Sequence, residues 1–378
     1  MVNGRMQCAS AVCIQPGKAR EKGPASEMVY TKENTLNDIL GNEVLGDYLY
    51  IGIAKGFVNM IPEDKRDMPL FQVAEEVKTR FGPFPVDMLL NAANQMLRVL
   101  ESGDYEFLPI WCETKGEGEL TVGAGDETSV FLITKKSDCK DIRPATVFVP
   151  GGAYMLVALL NEGIDAMLES EKYGYRGFAL YYRVKPNVHP VPQMDMAFAL
   201  MYLRKNAARF NIDPDRIATI GFSAGAHLAG IAACHHEDYK KLVLEELAKT
   251  SPELAESYSP YSAKADLMGF GYPVISFSVD SPWGKIDAVA PGREDLKGYL
   301  SIEENVSEDF PPTFCFVCEN DRLVRPYTGI LFANALKEKN IPYHFTMYPE
   351  AMHGIGLGAG TSAEVWPKEM FGFFGEIR

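Results

Sequence analysis

Residues 219–230 read TIGFSAGAHLAG, and this stretch decides how the chain is expected to fold. It places Ser223 between Gly221 and Gly225 in a G-x-S-x-G pattern. The apolar residues before the motif predict a buried strand, and the alanine-rich run after it predicts a helix. A serine on such a sharp strand-to-helix turn exposes its hydroxyl, and the flanking glycines avoid clashes in the turn. Because a chain of this length contains the pattern by chance about one time in ten, its surroundings must decide whether Ser223 is a nucleophile.

Strands and helices alternate on both sides of this motif. Earlier, residues 107–135 read as further strands that pair antiparallel. The alternation predicts an α/β fold, with a mostly parallel central sheet and helices on both of its faces. Ligands of such sheets bind at the carboxyl ends of the strands, so site residues should follow strands directly. The predicted strands are 145–150, 177–184, 216–222, 266–276, 311–321 and 342–349, and the predicted helices are 157–172, 193–209, 328–340, 363–375 and one that starts at Ser223.

The first hundred residues have a different pattern, which is mostly helical. A helix is predicted to begin at Pro85, to repeat apolar residues at helical spacing, and to end at Gly103. Another is predicted within residues 69–81. We therefore expect an N-terminal arm and helical cap at residues 1–105, packed on a catalytic domain at residues 106–378.

Composition and charge restrict the partners and the compartment. The net charge is −14 and the isoelectric point is about 5.0, which argues against nucleic acid or an anionic membrane as the main partner. No apolar run reaches the roughly 18 residues of a membrane span, and the N-terminus lacks the apolar region of a secretory signal. With seven cysteines and no export signal, reduced thiols in the cytoplasm are expected. A homo-oligomer is left open.

Six histidines are candidates for the base that a nucleophilic serine requires. His353 follows the last predicted strand in the loop EAMHGIGLGAG, from which an imidazole could reach over the sheet edge. His227 lies one helical turn after Ser223 and points along the helix, which predicts a packed structural role. His235 and His236 follow in a polar stretch and are predicted to be solvated. Weaker candidates lie in a proline-flanked loop and within a strand: His189 and His344. His353 is therefore the predicted base.

The base needs an acid that holds its tautomer and stabilises the imidazolium. Asp321 ends a predicted strand, 98 positions after Ser223 (321 − 223) and 32 before His353 (353 − 321). Glu319 is the nearest rival, because alternating side chains would place it on the same face as Asp321. Asp321 is nearer the strand end and is the predicted acid. The order serine, aspartate, histidine is the one that this architecture uses.

Acyl transfer also requires N–H donors for the oxyanion. Ala224, the residue after the serine, would supply one of them. The others are expected from the glycine-rich loop PGGAY at residues 150–154, because small residues let the backbone approach the substrate oxygen. Its position after one predicted strand and before a helix favours this interpretation over a plain turn.

Some other matches are discarded. Residues 137–140 fit S-x-x-K, but this stretch is a charged loop without companion motifs. Cys315 and Cys318 form C-x-x-C within a buried-looking strand, where a redox role is not expected. The histidines lack H-E-x-x-H spacing, which leaves zinc unsupported. No metal and no cofactor are therefore expected.

Taken together, these stretches resemble the α/β-hydrolase superfamily, and more closely its esterase branch, which contains proteins similar to hormone-sensitive lipase, acetyl esterases and acetyl-xylan or feruloyl esterases. The resemblance implies a Ser223–Asp321–His353 triad, with Gly152, Ala153 and Ala224 as oxyanion donors. Many relatives have His-Gly-Gly-Gly where this chain has Pro-Gly-Gly-Ala at residues 150–153. The stretches that carry the resemblance are VFVPGGAY, ALYYRVKP, PVPQMDMAFALMYLRKNAARFNIDPDRIATIGFSAGAHLAG, GYPVIS, PPTFCFVCENDRLVRP and AMHGIGL.

The resulting hypothesis is a serine hydrolase that acts on a small-molecule ester with a short acyl group. Only the resemblance supports acetyl as that group. An amidase or peptidase that uses the same triad is the enzymatic alternative. A non-catalytic binding protein on the same scaffold is the alternative from another class, and such proteins are expected to lose the nucleophile or the base.

Overall fold

Eight strands form the central sheet of the computed structural model, which describes residues 13–14, 29–45, 58–79, 82–111, 120–121, 126, 129–279 and 285–377. Four shorter strands form two separate antiparallel pairs. In chain order the strands are β1 Cys13–Ile14, β2 Lys78–Thr79, β3 Gly82–Pro83, β4 Tyr105–Leu108, β5 Leu120–Thr121, β6 Phe131–Lys135, β7 Arg143–Val149, β8 Arg176–Tyr181, β9 Ile212–Phe222, β10 Leu267–Gly271, β11 Thr313–Cys318 and β12 Tyr343–Tyr348.

The large sheet has the order β12-β11-β10-β9-β7-β8-β6-β4. The six strands from β12 to β8 are parallel, whereas β6 and β4 are antiparallel to their neighbours. The inner parallel strands β7, β8, β10 and β11 and the second half of β9 are almost continuously buried, as expected where both faces of a sheet are covered, whereas the edge strand β12 is mostly exposed or half-buried. The predicted α/β class with a mostly parallel sheet is confirmed.

Right-handed crossovers explain why the helices lie on both faces of the sheet. The chain moves outward from β7 to β8 and then returns past β7 to β9, so the two connecting helices lie on opposite faces. No described helix is both long and apolar enough to cross a lipid bilayer. The α-helices are α1 Leu36–Leu40, α2 Leu70–Glu76, α3 Val86–Ser102, α4 Asp165–Glu171, α5 Val191–Lys205, α6 Ala207–Phe210, α7 Ala224–Cys234, α8 His236–Ala248, α9 Pro252–Tyr258, α10 Tyr327–Glu338 and α11 Trp366–Glu376.

Most predicted bounds are close to those observed. The predicted strand at 266–276 ends at Gly271, and the predicted strand at 216–222 already begins at Ile212. Three further differences have local causes. The predicted helix at 69–81 ends at Glu76, because Val77 is extended and the next residues form β2. The predicted helix at 157–172 begins as a π-helical turn, Leu159–Ile164, and continues as α4. The predicted strand at 311–321 ends at Cys318, after which the chain turns. As predicted, α3 starts after Pro85 and ends at Gly103, whose φ of 65° suits glycine.

The N-terminal helices share one hydrophobic core with the sheet. Leu89, Ala93 and Met96 of α3 are fully buried in this core. Gln95 of the same helix donates a 2.6 Å hydrogen bond to Asp165, the first residue of α4. The boundary expected between residues 105 and 106 falls inside β4. The division into a cap and a catalytic domain stays a prediction.

A buried ion pair holds the segment that follows β8. Asp195 of α5 is fully buried and accepts hydrogen bonds from the Arg183 side chain and backbone and from the Trp111 indole at 2.7–3.1 Å. Removing one partner of such a pair leaves a buried charge uncompensated. We expect Asp195→Ala to lower the free energy of unfolding by about 3–5 kcal/mol, as measured by urea denaturation. The exposed Arg293–Asp295 pair is the control. An equal decrease in the free energy of unfolding of Asp295→Ala would contradict this explanation.

Candidate active site

Ser223 occupies a strained turn at the carboxyl end of β9. Its φ and ψ of 51° and −120° are unusual for a residue with a side chain, and it directly precedes α7. Its N–H donates to the Gly271 carbonyl at 3.0 Å, which fixes the turn to the end of β10. A Cβ on Gly221 would lie 2.4 Å from the Ala226 Cα, and one on Gly225 would lie 2.0 Å from the Val149 carbonyl oxygen. Both glycines of the motif are therefore required by close backbone packing.

The Ser223 hydroxyl begins a chain of two side-chain hydrogen bonds. Its Oγ lies 2.8 Å from His353 Nε2, and His353 Nδ1 lies 2.6 Å from Asp321 Oδ2. Since the carboxylate accepts the Nδ1 proton, Nε2 is left to accept the serine proton. The structure thus brings together the three residues that the sequence singled out.

Asp321 lies in a turn beyond β11. Its Oδ1 accepts hydrogen bonds from the backbone N–H groups of Leu323 and Val324, both at 2.8 Å. These bonds leave Oδ2 directed at His353. The rival Glu319 is exposed. Because β11 ends at Cys318, the alternation that was expected to place both acids on one strand face does not apply.

The glycine-rich loop lies directly against the candidate nucleophile. A Cβ on Gly151 would lie 2.8 Å from the Ser223 Cβ, so only glycine permits this approach. Gly152 and Ala153 follow with positive φ values of 132° and 55°. Within the described chain, the N–H groups of Gly152, Ala153 and Ala224 have no hydrogen-bond partner. These three groups are available as oxyanion donors.

Side chains from three elements hold the loop where many relatives use a histidine. The Tyr182 hydroxyl donates to the Pro150 carbonyl at 2.8 Å. The Gly151 N–H donates to Glu162 Oε2 at 2.7 Å. The Tyr154 hydroxyl lies 2.7 Å from His227 Nδ1. With proline at position 150, the loop is therefore held by hydrogen bonds with the side chains of Tyr182, Glu162 and His227.

His227 has the packed role that its place in the sequence predicted. Its side chain is fully buried, and its Nε2 lies 2.7 Å from the Leu300 carbonyl. A carbonyl only accepts, so Nε2 carries the proton and Nδ1 accepts from Tyr154. Burial lowers the pKa of His227 to about 4, which keeps the ring neutral near pH 7. It is an anchor for the loop.

The remaining four histidines make their hydrogen bonds to groups other than Ser223. The prediction of solvated surface was wrong for His235 and His236, since both are half-buried. The His235 ring stacks on Tyr299, with centroids 3.8 Å apart, and donates to the Tyr299 carbonyl. His189 lies 3.1 Å from the Tyr239 hydroxyl, and His344 lies on the edge strand β12. Tyr299 lies 64 positions after His235, so no local sequence pattern could predict that it covers the His235 ring.

Two site residues were missed by the sequence reasoning, Glu162 and Tyr272. Glu162 is buried below the glycine-rich loop, and Tyr272 follows β10 directly. Their hydroxyl-to-carboxylate distance is 2.7 Å. Glu162 could have been noticed as one of only two acids, with Asp165, within the mostly apolar run MLVALLNEGIDAM. The connection from β10 to β11 at residues 272–312 is also far longer than most, which is a signal of function.

Comparisons with known proteins identify a family and several related sequences. The family model BD-FAE matches residues 132–336, which is more than half of the 378 residues. The chain is 32% identical over 254 residues to endo-1,4-beta-xylanase B of Butyrivibrio fibrisolvens, covering 65% of this chain and 37% of that protein. It is 28% identical over 221 residues to an acetylxylan esterase of Xylanibacter ruminicola, covering 57% of this chain and 41% of that protein. The chain therefore spans less than half the length of either curated relative.

A solved structure is similar over most of its own length. The acetyl ester-xyloside bifunctional hydrolase from Caldicellulosiruptor lactoaceticus superposes with a TM-score of 0.62 at 29% identity. The match covers 72% of this chain and 96% of that one. The strand order and this similarity place the chain in the α/β-hydrolase class of proteins. Within that class, the chain belongs to the BD-FAE family.

Proposed function

We propose that this protein hydrolyses carboxylic esters with short acyl groups, with Ser223 as nucleophile, His353 as general base and acid, and Asp321 as the group that orients His353. The observation that carries the proposal is the continuous hydrogen-bond chain from the Ser223 hydroxyl through His353 to Asp321. A nucleophile, a base and an orienting acid that are joined in this order by hydrogen bonds form the arrangement that activates a weakly nucleophilic hydroxyl.

The proposed reaction has two halves. As Ser223 Oγ attacks the ester carbonyl, its proton passes to His353 Nε2, and the N–H groups of Gly152, Ala153 and Ala224 bind the oxyanion. Collapse breaks the bond to the alcohol, which leaves with the proton from Nε2. Water then gives a proton to Nε2 and attacks the acyl-serine, and the acid is released as Ser223 regains its proton. Asp321 stabilises the imidazolium in both halves.

Acetyl is the acyl group that we propose. The support is similarity to proteins whose names state acetyl ester hydrolysis, one of them an acetylxylan esterase and one an acetyl ester-xyloside hydrolase. Both names also contain a xylose-based substrate, so acetylated xylo-oligosaccharides are the natural compounds to test. The oxyanion donors are backbone groups, and backbone donors do not by themselves select the alcohol.

An acyl-series assay tests this proposal. We expect kcat/KM for p-nitrophenyl acetate to exceed that for the octanoate by at least about tenfold, since a short acyl site cannot accommodate added methylenes. Acetate release from acetylated xylo-oligosaccharides is expected, and p-nitroacetanilide is not expected to react measurably. Faster octanoate turnover would overturn the short acyl site, and preference for the anilide would favour an amidase. No turnover together with no fluorophosphonate labelling would indicate a binding protein.

A further inference from the structure

We infer that Glu162 and Tyr272 act together as positioning residues, which hold the glycine-rich loop at residues 150–154 in a fixed position relative to the loop that carries His353. This inference rests on the proposed function, because it assigns both residues to the same reaction. Neither would touch the substrate. Glu162 lies in the π-helical turn after β7, and Tyr272 directly follows β10, so two separate elements meet below the site.

Glu162 is a buried carboxylate whose two oxygens each accept a hydrogen bond. Oε2 accepts from the Gly151 N–H and Oε1 accepts from the Tyr272 hydroxyl, both at 2.7 Å. A protonated carboxyl would need an acceptor for its own proton, whereas an ionised one satisfies both donors. Burial raises the pKa of Glu162, and the hydrogen bonds from Tyr272 and Gly151 oppose that rise. The donors therefore favour the ionised form.

Tyr272 carries the connection onward to the His353 loop. Its hydroxyl accepts a 3.1 Å hydrogen bond from the Gly356 N–H while donating to Glu162. Its ring lies edge-on to the His353 imidazole, with centroids 4.9 Å apart and planes at 62°. A Cβ on Gly356 would lie only 3.2 Å from the Asn161 carbonyl, so this loop also packs on the residue before Glu162. Tyr272 thus links the base to the carboxylate.

The consequence for the reaction is geometric and electrostatic. With the Gly151 N–H bound to Glu162, the next two N–H groups of the loop are the ones left for the substrate oxygen. Donors preorganised in this way act on the transition state and not on substrate binding alone. An ionised Glu162 carboxylate would also attract the imidazolium that forms at His353. Loss of either residue should therefore lower kcat more than it raises KM.

Two isosteric variants and their combination test the inference. In Glu162→Gln, the side-chain amide nitrogen donates and cannot accept, so one of the two hydrogen bonds that the carboxylate accepts is lost. Tyr272→Phe keeps the ring next to His353 and removes the hydroxyl. For each we expect kcat to fall about 10–100-fold with KM within about threefold, consistent with loss of transition-state positioning. The double variant should be no worse than the poorer single variant, since the two residues act as one unit.

Asp266→Asn is the matched control. Asp266 is also a largely buried carboxylate that accepts from a backbone N–H, that of Ile217 at 2.7 Å, and from the Arg204 side chain. Asp266 lies just before the amino end of β10, whereas Ser223 follows the carboxyl end of the parallel neighbour β9. We expect its variant to lower the thermal midpoint with kcat unchanged.

The outcomes separate this inference from the proposed function. Additive effects in the double variant, or kcat within twofold of wild type in both single variants, would overturn it while wild-type turnover continues. A midpoint that falls in the Glu162 and Tyr272 variants with no change in kcat would likewise reduce both to structural residues. If wild type fails to turn over any ester, the proposed function itself is wrong.

Discussion

Replacement of Ser223 by alanine is expected to lower kcat for p-nitrophenyl acetate by about 10³–10⁶-fold. Alanine keeps the Cβ at the strained φ of 51°, so the turn and its hydrogen bond to Gly271 should remain. Only the hydroxyl that His353 faces at 2.8 Å is removed. Residual hydrolysis would come from the oxyanion donors and from substrate binding.

The control for this prediction is Ser137→Ala, because Ser137 begins the S-x-x-K match that was discarded. Ser137 is exposed in the loop between β6 and β7. We expect wild-type kcat for this variant and normal labelling by a fluorophosphonate probe, whereas the Ser223 variant should not be labelled. A Ser223→Ala enzyme as active as wild type would remove Ser223 as the nucleophile.

Sequence patterns predicted those parts of the fold that depend on local or strongly periodic signals. Continuous apolar runs identified β9 and β11, and the helical spacing with Pro85 and Gly103 identified α3 within a residue at each end. Candidate residues could be placed relative to Ser223 because parallel strands bring their carboxyl ends to one edge. The close grouping of Ser223, Asp321 and His353 follows from this topology.

Features that depend on tertiary packing were missed. Glu162 resembles any acidic residue at the start of a helix until the fold places Tyr272, 110 positions later, against its carboxylate. His235 lies among polar neighbours in the chain, yet Tyr299 covers its ring. The end of β11 at Cys318 depends on the turn that Asp321 itself stabilises, through bonds to Leu323 and Val324. No local pattern contains these contacts.

Substitution of Asp321 by asparagine should lower kcat by about 10⁴-fold near neutral pH, although it changes only one atom of the side chain. The asparagine oxygen can keep the 2.8 Å hydrogen bonds from Leu323 and Val324, so the turn should persist. Its nitrogen would then lie where Oδ2 now meets His353 Nδ1 at 2.6 Å. That nitrogen donates, so Nδ1 must accept and the ring proton moves to Nε2. A protonated Nε2 cannot take the proton of Ser223.

Glu319→Gln is the matched control for this variant, because Glu319 is the neighbouring acid that the sequence offered as a rival. Its side chain is exposed, and surface substitutions change stability little, so kcat of this variant should stay within about twofold of the wild-type value. Steady-state kinetics with p-nitrophenyl acetate gives kcat, and the rate of fluorophosphonate labelling should fall in parallel for Asp321→Asn. Thermal midpoints of both variants should stay near wild type, since the turn keeps its backbone hydrogen bonds. An Asp321→Asn enzyme within tenfold of wild type, or an equal loss in Glu319→Gln, would show that another group orients His353.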